Sequence, residues 1–126
     1  MSRASRLIIV VWSAGPDQPV QVAAPFVYGL SARALDVEVE MHFTSTAVRW
    51  MLQGVADSAF TDAGRTKTVA DFIREAKSAG VRLLACSMAL QEHRRGEALI
   101  LECDGHAGAA SVIAALIEPG SRALVF

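Results

Sequence analysis

The sequence predicts a layered α/β domain built on a parallel sheet, and three observations carry that expectation. Leu7–Trp12 (LIIVVW) is a short continuous apolar run, the pattern of a strand covered on both faces. It is followed by turn residues and then by a helical segment. The same strand-then-helix rhythm recurs further on and ends in a second apolar run, Val81–Cys86, directly after a glycine. Strands alternating with helices imply parallel pairing and helices packed on the sheet faces.

Taken in order, Ser13–Gln18 (SAGPDQ) supplies turn chemistry after the first strand. A helical segment then runs to about Leu35. Pro19 suits a first turn, whereas Pro25 would disrupt a helix interior, so the regular helix is expected to begin or bend near Ala24. Phe26, Val27, Leu30 and Ala34 mark its expected apolar side. Val37–Phe43 (VEVEMHF) alternates, placing Glu38, Glu40 and His42 on a face expected to be less buried. Thr44-Ser45-Thr46 breaks that strand and can cap a helix through Val48, Trp50, Met51 and Leu52. Gly54–Thr66 has no clear period and is expected to be a mobile loop.

Thr68–Ala79 carries the clearest helical signal. Thr68 and Asp71 resemble a capping box with Asp in place of Glu or Gln. Val69, Phe72, Ile73 and Ala76 form the apolar stripe, and Gly80 marks the stop. Gln91–Glu97 (QEHRRGE) reads as polar and exposed, and Ala98–Leu101 as a short fourth strand or helical turn. Asp104–Gly108 leads as a loop into a small-residue helix, Ala109–Ile117. Pro119-Gly120 ends that helix, and Ala123–Phe126 reads as a terminal strand.

Residues 1–126 amount to one domain, long enough to bury roughly two thirds of its unfolded surface. Lys and Arg number 12 against 13 Asp and Glu, a formal net charge of −1, which argues against a nucleic-acid binder. Hydrophobic residues make up 52% and the mean hydropathy is +0.34, which fits a thoroughly buried parallel sheet or, the favoured reading, apolar surface hidden between subunits of a homo-oligomer. Two cysteines fit neither a disulfide framework nor a zinc site, and suit a reducing compartment. Arg3 and Arg6 before Leu7–Trp12 imitate a signal peptide, but that apolar core is shorter than the usual ~7–15 residues. The longest uncharged run, Gln18–Ala32, is shorter than a ~20-residue span and contains two prolines. A cytoplasmic protein with no membrane segment is expected.

The residue with the most chemical potential is Cys86. A strand would deliver it to its C-terminal tip, at the mouth of the next helix, where ligands collect in open α/β sheets. The N–H groups of a helix start favour thiolate over thiol; His93, Arg94 and Arg95 follow closely enough to add to that effect, although a charge run more often forms a solvated turn. A cysteine after an apolar run also has a plainer reading, as a small packing residue. His42, Thr44 and Ser45 end the second strand, and His106 lies on a loop that would share the same sheet edge, so the four outline a candidate pocket. Cys103 could approach Cys86 there, or serve only the structure. The glycines around His106 could hold an anion at a helix start, or merely allow a turn; they lack the spacing of a nucleotide fingerprint. Ser13 and Ser87 have no nucleophile-elbow setting, and no carboxylate pair or H-E-x-x-H pattern is present.

Four segments, LIIVVWSAGPDQP, VEVEMHFTSTAVRWM, GVRLLACSMAL and GHAGAASVIAALIEPGSRALVF, together resemble the DsrE/DsrF-like family of small sulfur-relay proteins. That resemblance implies a three-layer α/β/α sandwich around a mainly parallel sheet, commonly assembled into trimers or hexamers. It implies that Cys86 holds a persulfide, accepting sulfur from a donor protein and passing it to an acceptor, with no metal and no organic cofactor. His42, Thr44 and Ser45 fall in the region that adjoins the family's pocket. The stretch after Cys86, ALQEHRRGEALI, has no clear partner-docking signature. Against this stands a reading of another class, a noncatalytic oligomeric module that binds a small molecule or anion, with Cys86 as a packing residue. A peroxidatic thiol is a third.

Overall fold

The computed structural model describes residues 5–126, so the Arg3 half of the signal-like charge pair lies outside the described residues. Five strands form one sheet: β1 (Arg6–Val11), β2 (Glu38–Phe43), β3 (Arg82–Cys86), β4 (Gly105–Ala107) and β5 (Ser121–Val125). Their order is β4-β3-β2-β1-β5, and every pairing is parallel. The helices are α1 (Ala23–Ala34), α2 (Val69–Ser78), α3 (Ser87–His93) and α4 (Ala109–Leu116). They cover both faces, giving the expected α/β/α layering.

The order explains the uneven covering. From β1 to β4 the chain steps in one direction across the sheet, then returns past β1 to place β5 on the far side. Right-handed crossovers put helices on one face while the chain advances and on the other when it reverses. Accordingly α1 and α2 share a face, where Phe26 stacks on Phe72 and tilts against Phe43. Among the described residues, α4 alone covers the opposite face near β5, β1 and β4, and it contributes no buried residue. The core lies on the better-covered side, around Ile9, Val11, Met41, Phe43, Trp50 and Leu83.

Several local expectations change. Pro19 opens a short 3-10 helix, Pro19–Val22, and the α-helix begins at Ala23, so Pro25 falls within the first turn. There its missing N–H costs no intrahelical bond. The buried side of α1 runs through Pro25, Phe26 and Gly29, leaving Val27 and Ala34 exposed. Gly29 takes the core position because a Cβ there would come within 3.3 Å of Ile9 Cδ1. The segment after β2 is a 3-10 helix, Ser45–Met51, and Thr44 makes no side-chain cap to it. It is anchored by the buried Trp50 Nε1, which donates to the Ala14 carbonyl at 2.6 Å.

Gly54–Thr66 is tied down. Asp62 accepts from the backbone N–H groups of Thr66 and Lys67, and Phe60 bridges to Thr68. Thr68 and Asp71 complete the capping box in both directions, so the shorter Asp side chain suffices. At the other end of α2, Val81 N–H bonds to Ala76 and Gly80 N–H to Lys77, with Gly80 at φ +91°. This C-terminal motif turns the chain straight into β3.

The fourth strand is not Ala98–Leu101. Of that stretch, Leu99 forms only an isolated antiparallel bridge to Leu52, and β4 is Gly105–Ala107, read from sequence as loop. Asp104 is the reason. Its carboxylate accepts from Leu83 N–H at 2.8 Å and from Lys77 Nζ at 2.5 Å, and its own N–H bonds to the Leu83 carbonyl. Those three bonds fasten the chain beside β3 and set the register that pairs Cys86 with Ala107.

Candidate functional site

The chain reverses direction only after β4, so β3 and β4 are the neighbouring strands whose outgoing connections part to opposite faces. From β3 the chain leaves toward α3, and from β4 toward α4 on the opposite face, so a crevice opens between their C-terminal ends. Cys86 stands at one lip and Gly108, the residue preceding α4, at the other. A cavity of about 190 Å³ occupies the crevice, walled by Val10, Ala107, Val112 and Ile113 and carrying three functional side chains, Cys86, His42 and Thr44. Strand register accounts for the grouping. His42 pairs with Val10 and with Leu84, so His42, Val10 and Cys86 project from the same sheet face.

Cys86 is half-buried and free. Burial pushes its thiol up, but hydrogen bonds from the Thr44 hydroxyl and from the backbone N–H groups of Ala89 and Met88 outweigh that effect and hold it below the ordinary range. Thr44 is available for this because its backbone is still extended, as in β2. The turn is delegated to Ser45, whose φ of +50° is costly for a non-glycine residue, on the order of 1–3 kcal/mol.

None of the cations expected to assist Cys86 is among the groups that lower its thiol, and the backbone or side chain of each belongs to a separate cluster. Arg49, from the 3-10 helix, donates to the His93 carbonyl at 2.6 Å and to Glu97 Oε2 at 2.8 Å. Arg94 Nε donates to the Glu97 carbonyl and Arg95 N–H to the Glu97 carboxylate. This cluster clamps the C-terminal end of α3, so it holds the helix that presents Met88 and Ala89 to the sulfur. Sequence reading missed Arg49 because its partners lie more than forty positions away.

His42 and Thr44 therefore meet at Cys86, and the other candidate residues stand apart. Ser45 shapes the turn beside the cavity without lining it. His106 pairs with Ala85, projects from the opposite face, and lines a separate depression with Ser87, Leu90, Gln91 and Arg94. Cys103 precedes β4, whereas Cys86 lies beside its last residue, so the two cysteines belong to opposite ends of the strand. Burial first, and the nearby Asp104 charge, raise the Cys103 thiol. The glycine-rich start of α4 borders the cavity, but its neighbours there are apolar.

The face expected to be less buried holds the largest departure. Glu40 and His42 are only 9% and 5% exposed. Arg82 Nη1 donates to Glu40 Oε1 at 2.8 Å, and His42 Nε2 lies 4.0 Å from Glu40 Oε2. Burial lowers the imidazole below its ordinary range, with Glu40 opposing and Arg82 reinforcing.

The sequence matches the DsrE/DsrF-like family over residues 6–126. The chain belongs to that family. Its fold is shared by the YchN protein from E. coli, with a TM-score of 0.73 at 13% identity, covering 96% of this chain and 99% of that one. A protein of unknown function from Methanobacterium thermoautotrophicum, MTH1491, gives a TM-score of 0.65 at 20% identity, covering 96% and 98%. A search of the curated proteins finds no match. This DsrE/DsrF-like chain is thus related to proteins of sulfur relay. Among its described residues, no helix is long and apolar enough to cross a membrane, and no three His, Cys, Asp or Glu side chains gather as a metal site.

Proposed function

We propose that this DsrE/DsrF-like protein accepts sulfur on Cys86 as a persulfide and passes it to an acceptor thiol. The observation that carries the reading is the place of Cys86, a free cysteine at the tip of β3 on the edge of a cavity with room for a second sulfur, and the lowering of its thiol agrees with it. A thiolate attacks a donor persulfide at its outer sulfur, and the donor leaves as a thiolate. Thr44 and the α3 N–H groups stabilise the same charge when Cys86 later becomes the leaving group. Incubation with glutathione persulfide should add one sulfur to Cys86, reversible by thiol reductant and read by peptide-level mass spectrometry. Cys86→Ser should abolish the adduct and Cys103→Ser should retain it. An adduct confined to Cys103, or none with an active donor, would overturn the assignment.

The apolar walls of the cavity favour a second reading, a module that binds a small neutral molecule without chemistry. In that case Cys86 carries no adduct and its thiol is protected from alkylation by the ligand.

We also propose that the protein is a homo-oligomer, built through the thinly covered face. Ile113 and Ile117 of α4 are 56% and 77% exposed, and Val125 of the adjoining edge strand is exposed as well. A second copy would cover that apolar surface.

A further inference from the structure

Glu40 and His42 are two residues apart on one strand, so both side chains enter the same weakly covered face. Burying them is expensive unless every polar atom finds a partner. One carboxylate oxygen does, through Arg82. The remaining pair of atoms, Glu40 Oε2 and His42 Nε2, are buried without a hydrogen bond and face each other at 4.0 Å. They are complementary: an imidazole N–H can donate and a carboxylate can accept. With Nε2 turned toward the Glu40 carboxylate, Nδ1 is the ring's other nitrogen and its free proton acceptor when the imidazole is neutral.

The imidazole also lines the cavity that Cys86 opens onto. His42 pairs with Leu84, and Cys86 is two positions further along on the same face, a diagonal relation of roughly 7–8 Å between backbone positions. An outer sulfur bonded to Cys86 extends about 2 Å beyond its Sγ. The cavity that both side chains line is the space open to that sulfur. Apart from Thr44, which is engaged with the thiol, the other walls are apolar.

We propose that His42 is the group that touches the outer sulfur carried by Cys86 and holds its proton, with Glu40 and Arg82 as positioning residues behind it. This deepens the persulfide reading and rests on it. On loading, the Cys86 thiolate attacks the outer sulfur of a donor R–S–SH; the new S–S bond forms, the old one breaks, and R–S⁻ leaves. His42 takes the proton from Cys86–S–SH, leaving the carried persulfide anionic, and R–S⁻ takes a proton from solvent. On release, His42 returns its proton to the outer sulfur. The acceptor thiolate then attacks that neutral sulfur and Cys86–S⁻ leaves. No oxidant or reductant is consumed.

The charged groups near the imidazole are few. Glu40 shares its strand, and Arg82 and Cys86 come from β3. From β1 the cavity receives Val10, from β4 Ala107, and α4 carries no titratable side chain. Arg6 and Glu38 pair with each other further along the face.

The test follows release of sulfur from loaded protein to a small thiol, across the pH range in which imidazole titrates, for wild type, His42→Gln and Glu40→Gln. All three should load one sulfur on Cys86. His42→Gln should slow release by about 100-fold, as loss of a general acid–base group does, and remove the imidazole inflection. Glu40→Gln should retain the inflection but move it to lower pH, because the carboxylate that raises the imidazole is gone. A merely structural role would lower thermal stability and leave the profile unmoved. Wild-type release rate and profile in loaded His42→Gln would overturn the proposal; if that variant does not fold, an unmoved inflection in Glu40→Gln overturns it instead. Wild-type protein that takes up no sulfur overturns the persulfide reading, and this proposal with it.

Discussion

Replacing Thr44 by valine keeps the branched shape, which suits the extended backbone at this position, and deletes only the hydroxyl that bonds to Cys86. A hydrogen bond to a charged group contributes about 1.5–3 kcal/mol. Sulfur is a weak acceptor and the Ala89 and Met88 N–H groups remain, so the lower end applies, about a tenfold loss of thiolate at a pH below the thiol's titration. The loss in rate is smaller, because a more basic thiolate is a better nucleophile. With a Brønsted coefficient of roughly 0.4–0.5, about threefold is recovered, and alkylation should slow by only about three- to fourfold. Above the titration range both proteins are fully thiolate, and Thr44→Val should react about threefold faster. The two pH profiles for iodoacetamide should therefore cross. Mass spectrometry of the Cys86 peptide separates this signal from Cys103. Superimposed profiles would refute the Thr44 hydrogen bond, and a uniform offset at every pH would mean that the substitution changed access alone.

Three further outcomes follow from the same geometry. Phe72, stacked on Phe26 at 5.6 Å, should cost about 3–4 kcal/mol when truncated to alanine, measured by urea unfolding, whereas Glu75→Ala should cost under about 1 kcal/mol because its Lys67 pair is partly exposed; equal losses would mean the helix face is wrongly assigned. Burial holds the His42 imidazole below its ordinary range, so the folded state binds that proton less readily than the unfolded chain. Its contribution is full above the ordinary imidazole range and lost as pH falls from that range through the lower folded-state value, and His42→Gln should flatten that acid limb in melting curves. Light scattering at micromolar concentration should give a mass of several chains, and Ile117→Glu should lower it; a monomer at all dilutions would refute the interface.

The elements legible in the sequence are those whose cause is local. The α2 stripe and its capping box depend on residues three or four apart, and both lie where the spacing places them. The position of Cys86 at a strand tip follows from Gly80 and the mostly apolar stretch Val81–Ala85. What was not legible depends on distant partners. β4 has only three residues and exists because Asp104 binds Leu83 and Lys77. The alternation in β2 correctly separates Glu40 and His42 from Met41 and Phe43. It misjudges their burial, because a period of two reports which face a side chain enters and not what covers that face.

That misjudged burial ties the fold to the chemistry. A fully solvated His42 would find water for both nitrogens and hold no fixed orientation toward Cys86. A fully apolar face would be more stable, since a buried ion pair seldom outdoes well-packed hydrophobic side chains. The chain does neither: it brings a carboxylate, an imidazole and a thiol to one side of two neighbouring strands, the first two buried and the thiol half-buried at the cavity. The chain's reversal after β4 supplies that arrangement, because it sends α4 alone to this face and opens the crevice beside Cys86 in the same step. If the exposed side of α4 is closed by a second copy, assembly also sets how much water reaches the cavity. Sulfur release measured in the Ile117→Glu variant would then change together with the measured mass, although Ile117 is not among the residues lining the site.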